Sequence, residues 1–274
     1  MVKYRFGNFC LEVISNYEEL IHIETLRVMF YLENYEYYVK KGYASTLRFP
    51  RCVNPDQFPE IALEHFVFEK RVKEAVVSEF YENKDLYLEF VGLICEEIER
   101  MRVCIPVAED LYGFLISGDY RIAPTAYGTI GSSHAHGNYG PMVFRIPKFL
   151  PKDVGCGFTT CKYRSLLEVL VHEVLSHGST AKLREGTTIC EFLPMCSHQQ
   201  HKERLMDLLG YIILTETNLM KPDDVAMQRM AIDEAGGDID PFYFDKERNL
   251  LWRGNLKGLI ERIDTFLRNK GGVF

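Results

Sequence analysis

No apolar run in the chain approaches the roughly 20 residues that a bilayer-spanning helix needs, so no such helix is expected. Basic residues are in deficit. Lys and Arg number 32 against 39 Asp and Glu, a net charge of −7, which argues against dedicated nucleic-acid binding. The N-terminal Met-Val-Lys-Tyr-Arg-Phe-Gly lacks a continuous apolar stretch, so a signal peptide is not expected and the expected location is cytoplasmic. None of the 8 cysteines forms a Cys-x-x-Cys pair. Cys156 and Cys161, with Cys190 and Cys196, could hold a structural metal or form disulfides. The reading adopted for the cysteines is free, buried thiols. Linkers, low-complexity segments and internal repeats are also missing. Trp252 is the lone tryptophan and reads as core rather than as a recognition residue.

What remains is an ordinary globular composition, 47% hydrophobic and 26% charged over 274 residues. That suits one large domain or two small ones. The stretch that stands out is Leu166–Gly178, Leu-Leu-Glu-Val-Leu-Val-His-Glu-Val-Leu-Ser-His-Gly. It reads as an apolar, buried helix carrying His172, Glu173 and His177. Buried polar groups without partners are costly. A divalent metal uses all three, with the histidines as ligands and the glutamate as the base that activates water.

The spacing is unusual. Zinc-peptidase helices carry H-E-x-x-H, with histidines four apart on one face. Here His172 and His177 are five apart, and Ser176 stands where the second histidine is expected. In an α-helix a five-residue step turns about 140° around the axis, against about 40° for four. A one-residue π-bulge would restore a common face. Alternatively the helix ends early and His177 swings in from the last turn, with Gly178 as the stop.

A second helical stretch, Gln199–Thr217, has its main apolar stripe at Leu205, Leu208, Leu209 and Ile212. Glu203 and Asp207 are four apart and share a face of it. Glu203 as third ligand leaves a fourth position open, and Asp207 then orients a histidine through its far ring nitrogen. His-Glu-x-x-x-His followed by Glu-x-x-x-Asp resembles the gluzincin metallopeptidases. The six-residue form resembles the motif of dipeptidyl peptidase III. That family has Gly in place of Ser176 and Glu-Glu-Cys in place of Lys202-Glu203-Arg204, and its chains are far longer. The resemblance implies a zincin-type site: Zn2+ on His172, His177 and Glu203, with Glu173 as catalytic base. It does not imply dipeptidase specificity.

The expected fold is α+β. A hairpin (Val2–Phe6, Phe9–Ile14) leads into helices over Tyr17–Lys41, Glu60–Asn83 and Leu86–Arg102, giving an N-terminal subdomain over residues 1–105. Residues 106–274 form the catalytic part, in one continuous globular unit with the first. It opens with a small, mostly antiparallel sheet built from Tyr112–Ile116, Tyr120–Ala123, Tyr127–Ile130 and Met142–Ile146. The active-site helix and a helical C-terminal part follow. Met142–Ile146 is the expected edge strand for pairing with an extended peptide. Candidate transition-state donors are Tyr211, Tyr243, Arg253 and, in a Gly-rich loop, His134 and His136. The expected partner is a peptide or protein substrate, with no membrane, and nothing fixes the oligomeric state. Two other readings stay open: a His-His-carboxylate iron or zinc enzyme that is not a peptidase, and a metal-free structural or interaction protein.

Overall fold

Gly7 and Asn8 turn the chain at its start, with Gly7 at φ +61°, a conformation that glycine adopts at no steric cost. The flanking strands are β1 (Val2–Phe6) and β2 (Phe9–Val13). A computed structural model of the chain describes residues 2–40, 44, 47–58, 62–128, 131–132, 141–149, 165–178, 209–210 and 212–220. After the hairpin come α1 (Tyr17–Glu33), α2 (Tyr35–Lys40), α3 (Ala62–Glu82), α4 (Lys84–Met101) and α5 (Cys104–Tyr112). The remaining strands are β3 (Gly118–Thr125), β4 (Gly131–Ser132) and β5 (Met142–Arg145). Last comes α6 (Leu166–Leu170), which continues into a π-helical segment, Val171–Gly178. Among the described residues, no helix is long and apolar enough to cross a membrane.

Helices and a five-stranded sheet make the chain α+β. The strand order is β1-β2-β3-β5-β4. The sheet is mixed rather than mostly antiparallel. β3 and β5 pair in parallel from Ile122↔Met142 to Thr125↔Arg145, while β4 and β5 pair antiparallel. The chain between the two parallel strands is long enough for the crossover that such a pair requires. β5 lies between β3 and β4, so it is not the edge strand expected of Met142–Ile146. All four of its residues are buried; β3 pairs with all four, and β4 pairs with Val143 and Phe144 on the other side.

Two further expectations change. Tyr112–Ile116 is not a strand: Tyr112 closes α5, and Gly113 caps it in the left-handed conformation at φ +75°. Pro106 fits the helical start of this element. It sits in the first turn of α5, where a missing N–H costs nothing. The long helix expected over Tyr17–Lys41 is interrupted at Asn34. The Asn34 side chain donates to the Phe30 carbonyl at 2.8 Å, competing with the helical ladder there.

The chain divides into two compact units. One comprises Met1–Tyr4, Cys10–Glu96 and Asp119–Gly157, and holds α1, α2, α3, β3, β4 and β5. The other comprises Arg5–Phe9, Glu97–Gly118 and Phe158–Phe274, and holds α5 and the histidine helix. Cys10, Cys52, Cys95 and Cys104 are free thiols, and Cys104 is buried. The four cysteines bracketing the histidine helix lie outside the described residues, as do the C-terminal elements expected after residue 220.

The first unit is knotted around a buried carboxylate. Glu24 of α1 is fully buried. It accepts hydrogen bonds from the Tyr87 hydroxyl, the Thr125 hydroxyl at 2.6 Å and the Ala126 amide at 2.6 Å. The next carbonyls along the chain meet three arginines. Arg48 donates to Ala126 at 3.0 Å, Arg27 to Tyr127 at 2.9 Å and Arg145 to Gly128 at 3.0 Å. Glu79 pairs with Arg48 at 2.9 Å and accepts from the Tyr127 hydroxyl at 3.2 Å. Burial and the neighbouring Arg48 and Arg27 push the Arg145 guanidinium down to about 10. Burial raises the Glu24 carboxyl above its ordinary range, against the opposing hydrogen bonds from Thr125, Tyr87 and Ala126.

Glu24→Ala should cost about 2–4 kcal/mol in chemical denaturation, because it leaves the Tyr87 hydroxyl and Ala126 amide buried without their acceptor. Glu24→Gln keeps an acceptor for both and should cost about 1 kcal/mol or less. With its pKa raised, folded Glu24 keeps its proton over a pH span in which the unfolded chain has released it. Its contribution is therefore full below the ordinary carboxylate range and is lost as pH rises through the raised value. Wild type should lose stability relative to Glu24→Gln over that span.

Gly128, at φ +75°, offers a second test. A Cβ there would overlap the Tyr31 ring and lie 2.9 Å from the Arg27 Nε. At Gly7, φ +61°, a Cβ would meet nothing within 4 Å. Gly7→Ala should cost about 1–2 kcal/mol from backbone conformation alone, and Gly128→Ala clearly more. Thermal unfolding of the two variants checks the order.

Candidate metal centre

Ser165 starts the histidine helix. Its hydroxyl accepts from the Glu168 amide at 3.2 Å, and Ser165-x-x-Glu168 has the form of a capping box. One α-helical turn, α6, then passes into the π winding of Val171–Gly178. The winding is π over eight residues, rather than an α-helix with one bulge. A π-helix bonds each amide to the carbonyl five residues back. Residues five apart therefore stack along it, as residues four apart do along an α-helix.

Burial matches the apolar pattern. Leu167, Leu170, Val171, Val174 and Leu175 are all buried. Burying one such side chain contributes about 1.5–3 kcal/mol, and together they hold three polar residues inside. His172 is 6% exposed, Glu173 8% and Ser176 0%. Each of the three has an interaction partner, as the cost of burial demands. The Ser176 hydroxyl donates to the Val171 carbonyl at 3.4 Å.

Two elements of the same unit meet this helix. One is α5, whose last residue, Tyr112, is fully buried, with its phenol held well above the ordinary tyrosine range by burial and only partly countered by Ser176. The other is the helix through residues 209–216. A Cβ built on Gly210 would lie 3.6 Å from Val171 Cγ1, 3.8 Å from the His172 amide nitrogen and 3.8 Å from Ser176 Oγ. Gly210 thus sets the backbone of this helix on the histidine motif. The helix ends in a Schellman motif around Asn218 at φ +57°. Leu219 donates to Leu214 at 2.9 Å and Asn218 to Thr215 at 3.0 Å. Its last turn touches α5 through Cys104 Sγ and Thr217 Oγ1, 3.7 Å apart, and burial pushes the Cys104 thiol up to about 11.

Of the residues expected at the site, the side chains of His172 and Glu173 are described, buried and on the π segment. The backbone of His177 lies in the same segment. Glu203, Asp207, Tyr211, His134, His136, Tyr243 and Arg253 lie outside the described residues. Sequence reasoning passed over Gly210, Ser176 and Tyr112 as parts of the site. A glycine inside an otherwise apolar helical run is the signal for Gly210, since it costs helix stability unless something approaches closely. Tyr112 was hidden by its reading as a strand residue. No family model, curated protein or solved structure matches the chain.

The space beyond Gly210 is that of one methyl group in ordinary contact. Gly210→Ala should therefore be neutral or stabilise by up to about 1 kcal/mol through helix propensity. Gly210→Leu should cost about 1–3 kcal/mol by overpacking against Val171 and the His172 backbone. Denaturant midpoints of the pair check this.

Proposed function

We propose that the chain is a zinc-dependent metallopeptidase in which His172, His177 and Glu203 hold the metal and Glu173 is the general base. The observation that carries this reading is the π winding of Val171–Gly178. Residues five apart stay near one face of a π-helix and not of an α-helix, which supports a shared ion for His172 and His177. The donor set fits zinc: two imidazoles and one carboxylate, with a position left open. By sequence spacing, Asp207 and Glu203 stand three and seven residues before Gly210, the positions that share a helical face with it. Gly210 is the residue that lies on the His172 backbone.

When bound, the metal would polarise a scissile carbonyl and make water acidic enough to attack at neutral pH. The chain's own residues do the rest. Glu173, adjacent to His172 and buried with it, accepts the proton of the attacking water and returns it to the leaving amine. The apolar wall of Leu170, Val171, Val174 and Leu175 excludes bulk water and strengthens each charge interaction inside. Asp207 orients a histidine through the ring nitrogen that does not face the metal. Tyr211, His134 and His136 are the proposed sources of a hydrogen bond to the developing oxyanion.

Protein purified without chelator or affinity metal should carry one zinc per chain by elemental analysis, and His172→Ala and Glu203→Ala should each lose it. Glu173→Gln should keep the metal while hydrolysis of a peptide-library substrate falls by about 10²–10⁴-fold. Full turnover by Glu173→Gln would overturn the assignment of the base. Iron in place of zinc would redirect the reading to oxygen-dependent chemistry.

A further inference from the structure

We propose that Ser176 is a positioning residue of the metal centre, whose hydroxyl holds the five-residue register that brings His172 and His177 to one ion. The inference rests on the metallopeptidase reading for its ion and on the described residues for its geometry. In an α-helix a serine hydroxyl bonds back to the carbonyl three or four residues before it. For Ser176 those carbonyls belong to Glu173 and His172. Its hydroxyl reaches Val171, five residues back, at 3.4 Å. The π winding directs the Ser176 amide toward the same carbonyl. Hydroxyl and amide of one residue thus converge on the atom at which α6 gives way to the π segment.

The surroundings hold that hydroxyl in place. Ser176 is wholly buried. The buried Tyr112 closes α5, which packs against the π segment. Gly210 lies close on the side of the next helix, where an added Cβ would stand 3.8 Å from Ser176 Oγ. Ser176 also occupies the place that the four-residue motif gives to its second histidine. It is the extra residue, and its own side chain secures the winding that accommodates it. Without the hydroxyl, the segment relaxes toward α winding, which carries His177 about 140° away from His172 around the axis.

The experiment compares the Zn2+ affinity of the full chain with that of Ser176→Ala, Ser176→Thr and a variant with Ser176 deleted, by competition with a chromophoric chelator. Unfolding of each metal-free protein is followed in parallel. Ser176→Ala should bind zinc about 10–100-fold more weakly, the usual loss when a residue supporting a ligand is removed. Its metal-free unfolding transition should stay close to that of wild type. Ser176→Thr, which keeps the hydroxyl, should retain most of the affinity. Deletion should bring binding back to within a few-fold of wild type, because it returns the histidines to a four-residue step that an α-helix accepts. This last result separates register from mere packing. Unchanged affinity in Ser176→Ala would overturn the inference and leave the metallopeptidase reading standing, and so would an equal loss in the alanine and deletion variants. No zinc bound by wild type, or zinc kept in His172→Ala, would overturn the metallopeptidase reading and the inference with it. Should Ser176→Ala not fold, the deletion and threonine variants decide by the same criteria.

Discussion

Everything assigned to the candidate centre depends on a winding constraint. Two ligands on one continuous helix share an ion most readily when the winding of the helix brings their separation round to one face. For His172 and His177 the separation is five, and Val171–Gly178 is wound with the five-residue period. The weaker hydrogen-bond geometry of a π segment needs compensation from elsewhere. It comes from burial on every side, from α5 and from the close backbone contact at Gly210. A helix exposed along one face would have less to hold it in this form.

The two units solve the problem of buried polarity differently. In the first, Glu24 and three arginines fasten the residues following β3, each group using a main-chain partner. Such a network is expensive to desolvate and gains from being complete. In the second, the buried polar residues among those described, His172, Glu173 and Ser176, sit on one helix among apolar side chains. The contrast is one of placement. Carboxylates and arginines from α1, α3, β5 and the α2–α3 connection converge in the first unit. His172, Glu173 and Ser176 belong to a single turn-and-a-half of chain.

Much of this was legible in the sequence, and the exceptions have physical causes. The hairpin at Gly7-Asn8, the helices α3 and α4, and the buried helix at Leu166–Gly178 follow from turn chemistry and apolar period. The departure of the histidine spacing from four was enough to name the π form as one of two solutions. The sheet was harder. Its parallel β3–β5 pair joins segments separated by a glycine-rich stretch, and nothing local encodes that partnership or places β5 inside the sheet. α5 was missed because its last residue, Tyr112, opens a run of aromatic and β-branched residues that reads as a strand. The Glu24 knot was invisible for another reason. Residues separated by 63, 101 and 102 positions meet there, and no periodicity reports such distances.

The strand order of the sheet also bears on how the folded chain resists association with its own copies. An outer strand is a template for a neighbour's backbone unless something discourages pairing. Among the described residues, the outer strands are β1 and β4. β4 offers only two residues, too few to nucleate a ladder. β1 is longer but carries Lys3 and Arg5, and Lys3 is held by Glu12 at 3.0 Å. A second copy docking there would bring the same positive charges face to face in an antiparallel pair. The buried strand β5, Met-Val-Phe-Arg, lies inside this order, between β3 and β4.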